Sequence, residues 1–266
     1  MLDLVILGLV QGLTEFLPVS SSAHLLFAEH YLGIARPGLV LEGVLHMGTA
    51  VAVVWLFWAD IARLLRAVPT LVRRLAPGDP QDGDRRMLLA ILAATLVTGV
   101  LGLAFAGPLE RAFDSVRGTA YRLVVTGVIL ALMQERGTRA AREASLADGA
   151  AMGLAQAVAI LPGISRSGIT IAAGAVRGLG RAEAARLSFL MAVPAIVGAG
   201  LFSLKDATAA TSLGYGPVEL LVGAAVAAAS GALAIVWLLD ILRRGRLVWF
   251  AVYCWAAAVA VLATAR

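Results

Sequence analysis

The chain has 266 residues, of which 60% are hydrophobic and 15% are charged, with a mean hydropathy of +0.88. This composition excludes an ordinary soluble domain and indicates a polytopic membrane protein. In such a protein a net charge of +5 is a topology signal rather than a footprint for nucleic acid, so we expect membrane lipids and no nucleic acid among its partners.

Six apolar runs are long enough to cross a bilayer, which takes about 20 residues. In chain order they cover residues 41–59, 87–107, 119–134, 185–204, 218–240 and 247–265. Two other apolar stretches, 3–33 and 149–180, are broken by Pro, Gly and Ser. Each half is too short to span, and non-helical backbone is tolerated at membrane depth only where it is buried or lines a wet cavity. The sequence therefore predicts an all-α polytopic membrane protein with six transmembrane helices plus two re-entrant helix–loop–helix hairpins.

The two predicted hairpins resemble each other. The first has Gly-Leu-Val-Gln at 8–11 and Leu-Pro at 17–18, and the second has Gly-Leu-Ala-Gln at 153–156 and Leu-Pro at 161–162. Three predicted spans follow each hairpin, and an odd number inverts the second half relative to the first. We therefore expect a single integral membrane domain, 1–266, built from inverted repeats at about 1–140 and 149–266. Two unrelated polar loops are the alternative.

The basic residues predict the orientation in the membrane. Twelve arginines lie in loops on the side away from the N-terminus, and five basic residues lie on the N-terminal side. The first group is Arg63, Arg66, Arg73, Arg74, Arg85, Arg86, Arg136, Arg139, Arg142, Arg243, Arg244 and Arg246, and the second is Arg36, Arg111, Arg117, Lys205 and Arg266. Because basic loops stay in the cytoplasm, both termini and the mouth of the first hairpin are expected to face outward.

Gln11 and Glu15 lie four residues apart, on one face of the first hairpin's first helix. A carboxylate in this position is costly unless it is paired or binds a cation. Hard divalent ions take carboxylate and amide oxygens and often bridge to phosphate. The pair therefore indicates a Mg²⁺ or Ca²⁺ site that the substrate completes. A structural ion pair between Glu15 and Arg166 is the alternative, and the two do not exclude each other.

Three serines and a histidine follow the break in the first hairpin. A hydroxyl beside an imidazole can act as a nucleophile with its base, and His24 falls three residues after Ser21 on one helical face. Serines at a helix start are also common caps, which is the alternative for Ser20. We take Ser21 and His24 as candidate catalytic residues, with Ser20 and Ser22 as secondary candidates.

Arg166 lies at the break of the second hairpin, within an otherwise apolar sequence. A guanidinium there is costly unless an anion meets it, and its planar fork of donors best matches a carboxylate or a phosphate. With backbone N–H groups at a helix start it would form a phosphate cradle; the alternative is a structural arginine bonded to loop carbonyls. The other members of the cradle are Gly163, Ser165, Ser167 and Thr170.

Glu42 and His46 form a secondary pair, four residues apart on one face of the first predicted span. They could line the cavity or contact the site residues. A histidine satisfied within the core is the commoner outcome, so we rank them below the residues of the two hairpins.

With these motifs the chain resembles a known family, the undecaprenyl-diphosphatases, also called bacitracin-resistance proteins. The resemblance covers essentially the whole length and is carried by residues 11–24, 162–170 and 186–194. It implies hydrolysis of a C55 isoprenyl diphosphate to the monophosphate at the outer face of the bacterial inner membrane, which recycles the lipid carrier of cell-wall synthesis. It also implies a divalent cation and is compatible with a homodimer.

The resemblance also implies roles for individual residues. The family's acidic motif (Glu or Gln, three residues, Glu) falls on Gln11 and Glu15, so an amide replaces one carboxylate here. The family's serine and histidine fall on Ser21 and His24. Its Pro-Gly-x-Ser-Arg-Ser-x-x-Thr motif is matched in full by residues 162–170, whereas Ser-Ala stands at 22–23 where many members have Thr-Gly.

Another class of phosphatase and a transport function are the alternatives to this family. The second large class of membrane lipid phosphatases would need lysine at position 29 and histidine at position 172, where this chain has Glu29 and Ala172. The stronger rival is a transporter or flippase of an anionic isoprenyl lipid, because inverted repeats with broken helices are also the architecture of secondary transporters. Glu15 and His24 would then be proton-coupling groups. Hydrolysis followed by flipping is a third possibility.

Overall fold

The computed structural model of the chain describes residues 1–34, 38–73, 75–76, 78–133, 137–203, 215–245 and 247–265. These residues form helices joined by short connections, with no strand among them. The α-helices are α1 (Leu2–Phe16), α2 (Ser21–Leu32), α3 (Gly38–Leu56), α4 (Trp58–Ala67), α5 (Asp82–Ala104), α6 (Ala106–Ala112), α7 (Val116–Leu132), α8 (Leu146–Val158), α9 (Arg166–Val176), α10 (Arg181–Ser203), α11 (Pro217–Arg243) and α12 (Val248–Thr264). The predicted all-helical fold class is therefore confirmed.

Both predicted hairpins consist of two short helices separated by a break. The first break, between α1 and α2, contains Pro18, and the second, between α8 and α9, contains Pro162. Proline lacks the N–H that a continuing helix needs. After the second break Ser165 caps α9, because its side chain accepts a hydrogen bond from Gly168 N. The re-entrant placement of these pairs in a membrane stays a prediction.

The long helices support a multi-pass membrane protein. Three helices in the described residues are long and apolar enough to cross a bilayer: α5, α10 as far as Gly200, and α11. The first predicted run bends by 82° between α3 and α4, and this pair counts as a fourth span if taken together. Both α7 and α12 have only 17 residues. The chain is therefore a multi-pass helical membrane protein, and the six-span count stays a prediction.

The first helix of each hairpin packs on a long helix of the other predicted repeat, α1 on α11 and α8 on α5. Small residues allow the close approach: a methyl group at Gly12 would lie 2.0 Å from Ser230 Oγ. Each contact carries a hydrogen bond, from Ser230 Oγ to Gly8 O (3.4 Å) and from Thr98 Oγ1 to Gly153 O (3.0 Å). Each hairpin is thereby attached to the half of the chain to which it does not belong.

Gly12→Ala is expected to destabilise the protein. The added methyl group would also lie 2.5 Å from the backbone oxygen of Ala227, which cannot move aside as a side chain can. Overpacking of this kind costs about 1–3 kcal/mol. The measurement is thermal unfolding in detergent with Gly198→Ala as the control, because a methyl group at Gly198 meets nothing within 4 Å. Equal unfolding temperatures for the two variants would contradict the packing described.

Several of the arginines used for the orientation are paired with buried acids. Asp60 contacts Arg63 and also Arg186, the latter at 2.5 Å, and Asp148 contacts Arg139 at 3.0 Å. The last residues of the 119–134 and 185–204 runs lie outside the described residues, as do six of the basic residues in the count. They are Arg36, Arg74, Arg136, Lys205, Arg246 and Arg266. The orientation therefore stays a prediction.

Candidate active site

The breaks of the two hairpins meet. Gly163 N donates to Ser20 Oγ at 3.2 Å, and Ser167 Oγ donates to Leu17 O at 3.1 Å. Both bonds join residues more than 140 positions apart in the chain. They satisfy polar groups at which the helices stop, as buried backbone requires. The charged residues on either side of the breaks are therefore brought together.

Arg166 contacts Glu15 across this junction. Its Nη2 lies 2.5 Å from Glu15 Oε1, and its Nη1 lies 3.4 Å from Ser188 O. The Arg166 side chain is 16% exposed, whereas that of Glu15 is 6% exposed. The structural ion pair considered from the sequence is thus present. Because the guanidinium retains some exposure, it can also meet an incoming anion.

The second carboxylate oxygen of Glu15 collects three further polar side chains. Ser21 Oγ donates to Oε2 at 2.6 Å, and Gln11 Nε2 donates to it at 3.0 Å. His46 Nε2 lies 3.5 Å from the same oxygen. Glu15 is therefore the centre of the site, and it is contacted by both hairpins and by α3.

His24 is held away from Ser21. Its Nδ1 lies 2.8 Å from Ser20 O, and its Nε2 lies 2.8 Å from Tyr253 Oη, with the two rings stacked. No hydrogen bond in the described part of the chain joins Ser21 to His24. The sequence predicted that these two side chains lie side by side, because they are three residues apart on one helical face. Instead Ser20, with a φ of +70°, precedes a helix start from which the Ser21 hydroxyl reaches Glu15.

The hydroxyls predicted to bind phosphate have protein partners. Besides capping α9, Ser165 Oγ lies 3.2 Å from Ser167 Oγ. Thr170 Oγ1 lies 2.7 Å from Arg166 O and 2.7 Å from Ser188 Oγ. All of the predicted serine and threonine members of the cradle are buried. These bonds hold the helix start that carries Arg166.

A clamp on the second break was not predicted from the sequence. It comes from α7, where Thr126 Oγ1 donates to Gly163 O at 2.8 Å and accepts from Ser165 N at 3.0 Å. Arg122 Nε donates to Pro162 O at 2.5 Å. A lone arginine inside an apolar run is a signal that could have identified this clamp. The threonine gave no such signal.

Gly163→Ala is expected to distort the second break. Gly163 has a φ of +99°, which an L side chain rarely adopts, and an added methyl group would lie 2.3 Å from Thr119 O. Strain of this kind costs about 1–3 kcal/mol, and the clash adds to it. The unfolding temperature and the rate of phosphate release should both be lower than those of Gly99→Ala, whose methyl group meets nothing within 4 Å. Wild-type values for both quantities in Gly163→Ala would show that the turn does not depend on glycine.

Glu42 and His46, the pair ranked second from the sequence, are joined by a hydrogen bond. His46 joins the site at Glu15, and its Nδ1 lies 2.7 Å from the backbone oxygen of Glu42. Glu42 thereby fixes the imidazole ring through its main chain. Of the two other secondary candidates, Ser20 accepts the hydrogen bond from Gly163 N, and Ser22 Oγ lies 3.2 Å from Ser20 Oγ.

The oxygen atoms of Gln11 and Glu15 can supply part of a cation's coordination shell. Within the described residues there is no group of three or more His, Cys, Asp or Glu side chains that could hold a metal ion. Gln11 is fully buried, and its Oε1 has no hydrogen-bond partner among the described residues. A buried amide oxygen without a partner is costly. Gln11 and Glu15 therefore fit a cation whose other ligands come from the substrate.

Comparison with known proteins covers nearly the whole chain. The family model described as "Bacitracin resistance protein BacA" matches residues 4–260. A protein of Methanobrevibacter smithii named undecaprenyl-diphosphatase is 42% identical over 265 residues, covering 97% of this chain and 95% of the relative. Proteins with the same name from Desulfatibacillum aliphaticivorans and Synechococcus sp. are each 41% identical. They cover 98% and 92% of this chain, and 97% and 87% of their own lengths.

Proposed function

The chain belongs to the family of the bacitracin resistance protein BacA, and we propose that its two hairpins form the active site of an undecaprenyl-diphosphatase. It hydrolyses undecaprenyl diphosphate to undecaprenyl phosphate and inorganic phosphate. One observation carries the assignment of this reaction to the site: Arg166, Glu15 and Ser21 meet where the two broken helices touch.

Arg166 binds the diphosphate. A phosphate group offers a guanidinium the same bidentate geometry as a carboxylate and a larger charge. One terminal nitrogen of Arg166 is bonded to Glu15, and the other makes only a long contact of 3.4 Å to Ser188 O. An incoming phosphate can therefore bind Nη1 of Arg166 in place of the long contact to Ser188, while the bond from Nη2 to Glu15 stays in place. The buried hydroxyls of Ser165, Ser167 and Thr170 keep the arginine in place during this exchange.

Hydrolysis replaces the bond between the terminal phosphorus and the bridging oxygen. Either Ser21 Oγ or a water molecule that it orients attacks the terminal phosphorus, and undecaprenyl phosphate leaves with the bridging oxygen. Glu15 Oε2, at 2.6 Å from Ser21 Oγ, accepts the proton of the attacking group. If Ser21 attacks, water then hydrolyses a phosphoserine. Rapid-quench experiments with ³²P-labelled substrate distinguish the two routes, because only the first labels Ser21.

His24 has a secondary role in this mechanism. Both of its ring nitrogens have protein partners, so proton transfer through His24 requires that Tyr253 first gives up its hydrogen bond. Without that step His24 fixes the start of α2, from which Ser21 reaches Glu15.

A divalent cation completes the site, held by Glu15 and Gln11. When bound, Mg²⁺ or Ca²⁺ would offset the charge of the diphosphate and polarise its phosphoryl oxygens. The support from this chain is the buried Gln11 oxygen without a partner. Treatment with EDTA is expected to abolish phosphate release, and added cation to restore it. Full activity after exhaustive chelation would remove the cation from the account.

The placement in the cell is also part of the proposal. The protein lies in the bacterial inner membrane with both termini outside, the hairpins enter from opposite leaflets, and the site opens to the outer face. The prenyl chain stays in lipid between helices, and the product returns to cell-wall synthesis. The reciprocal packing of α1 on α11 and of α8 on α5 supports the inverted repeats. A homodimer is proposed from the family resemblance.

A transporter or flippase of the same lipid is not favoured, because the relatives carry the name of a phosphatase. The two functions are separated by one experiment on the purified protein. An undecaprenyl-diphosphatase releases phosphate from undecaprenyl diphosphate in detergent, where no sealed compartment exists. A transporter moves the lipid across sealed liposomes without releasing phosphate. Absence of phosphate release with Mg²⁺, Ca²⁺ or Mn²⁺ present would overturn the proposed function.

A further inference from the structure

We propose that His46 is a third protein ligand of the cation, through Nε2, an inference that rests on the proposed function of the site. His46 lies in α3, outside both hairpins. Its side chain is 28% exposed and approaches the buried carboxylate of Glu15. The cation site then lies between α1 and α3, and it prefers ions that accept a nitrogen ligand.

The imidazole ring of His46 is oriented by a hydrogen bond to the backbone. Nδ1 lies 2.7 Å from the backbone oxygen of Glu42, and a carbonyl oxygen can only accept, so Nδ1 carries a hydrogen. In the neutral ring Nε2 then has a free lone pair. Histidines that bind metals are characteristically held in this way, with the other ring N–H donated to a carbonyl or carboxylate. The ring of His46 is therefore held in the orientation that a metal ligand needs, with Nε2 toward Glu15.

Nε2 of His46 faces the carboxylate of Glu15. Glu15 Oε2 lies 3.5 Å away, so a lone pair of the neutral ring meets an oxygen of a carboxylate. This arrangement is unfavourable unless a positive charge, either a proton or a cation, lies between the two atoms. Two ligand atoms that are each about 2.1 Å from one ion and 3.5 Å apart enclose an angle of about 110° at the ion. An ion can therefore bind both atoms without movement of either helix.

Gln11 indicates the same cation site independently of the histidine. The Gln11 amide that donates Nε2 to Glu15 Oε2 has a buried Oε1 without a hydrogen-bond partner among the described residues. Rotation of the amide about its last torsion directs this oxygen to the same region, where a cation would satisfy it. Arg166 holds the opposite oxygen, Oε1 of Glu15. A cation at Oε2 would replace the hydrogen bond from Gln11 Nε2, while Oε2 keeps the hydrogen bond from Ser21.

This ligand set has a consequence for the choice of ion. One carboxylate oxygen, one amide oxygen and one imidazole nitrogen suit Mn²⁺ better than Ca²⁺, because Ca²⁺ takes oxygen ligands almost exclusively. Diphosphate oxygens and water would fill the remaining positions. We therefore expect Mn²⁺ to bind more tightly than Ca²⁺. We also expect His46→Gln to weaken Mn²⁺ binding by at least about tenfold, because losing a ligand should cost at least as much as losing a residue that orients a ligand.

The experiment measures Mn²⁺ bound to the purified full-length protein by electron spin echo envelope modulation. The chain has three histidines, so the assignment needs few variants. We expect ¹⁴N modulation from a coordinated imidazole in the unmodified protein, its loss in His46→Gln, and its retention in the matched control His30→Gln. Labelling histidine with ¹⁵N in the unmodified chain should change the modulation without any substitution, so a poorly folded variant cannot decide the result.

The outcomes separate this inference from the proposed function. Bound Mn²⁺ without ¹⁴N modulation, modulation that persists in His46→Gln, or no bound Mn²⁺ at all would each overturn His46 as a ligand. A proton between Nε2 and Glu15 would give the first of these results. Phosphate release, measured on the same preparation, can still occur in each case. Its absence would instead contradict the proposed reaction, whatever the ligands of Mn²⁺.

Discussion

Arg166→Ala is expected to lower the rate of phosphate release from undecaprenyl diphosphate by at least about 10³-fold, the effect of removing an arginine that stabilises charge in phosphoryl transfer. In this protein Arg166 is the side chain that crosses from the second hairpin to Glu15 in the first, with Nη2 at 2.5 Å from Oε1. Alanine removes the phosphate donors and also the one ion pair described between the hairpins, although their hydrogen bonds through Ser20 and Ser167 remain. The measurement is steady-state phosphate release in detergent at saturating cation.

Loss of activity in Arg166→Ala could also come from unfolding, because removing one partner of a buried ion pair costs about 3–5 kcal/mol. Arg166→Lys separates the two causes. Lysine keeps the charge beside Glu15 but lacks the planar fork, so it should keep most of the thermal stability and still lose most of the activity. Arg86→Ala, at an exposed pair with Asp82, should leave both unchanged. Arg166→Lys with wild-type activity would show that bidentate binding is not needed.

Glu15→Gln is expected to lower phosphate release by about 10²–10³-fold, a loss typical of removing one preorganised group from an active site. The amide keeps the size of the side chain and can still bond to Arg166. It cannot accept a proton from Ser21, 2.6 Å away, and it is a poorer ligand for a divalent cation. Phosphate release at several cation concentrations should show both a lower maximal rate and a weaker response to the cation.

The matched control for Glu15→Gln is Asp82→Asn, which removes a carboxylate from the exposed pair with Arg86. It should retain wild-type phosphate release and the wild-type response to the cation. If Glu15→Gln also keeps full activity while remaining folded, then Glu15 is only a structural partner of Arg166. The proton acceptor and the cation would have to be sought elsewhere.

Much of the site could be predicted because breaks in apolar helices are visible in the sequence. Pro18 and Pro162 indicate where α1 and α8 stop. The ionisable groups near these prolines, Glu15 and Arg166, are stabilised by pairing with each other. The meeting of Glu15 with Arg166 follows from the cost of an isolated charge in an apolar region. These expectations depend on residue type and period, which a sequence displays directly.

The partners of individual hydroxyls could not be predicted in the same way. Ser21 contacts Glu15 instead of His24, in a junction where Ser20 has a φ of +70°, and this backbone conformation is rare for a serine. The clamp by Thr126 depends on which face of α7 meets the second break, and the sequence does not indicate against which element that face packs. The bend at Phe57 has no Pro or Gly to mark it.

The most direct test of the account is a structure of the protein with Mg²⁺ and a prenyl methylenediphosphonate, whose carbon bridge cannot be hydrolysed. We predict that the diphosphonate head lies at the junction of the two breaks, with an oxygen within hydrogen-bond distance of the Arg166 guanidinium and the terminal phosphorus facing Ser21 and Glu15. A head group bound elsewhere, with the contact between Arg166 and Glu15 left intact, would contradict the central claim.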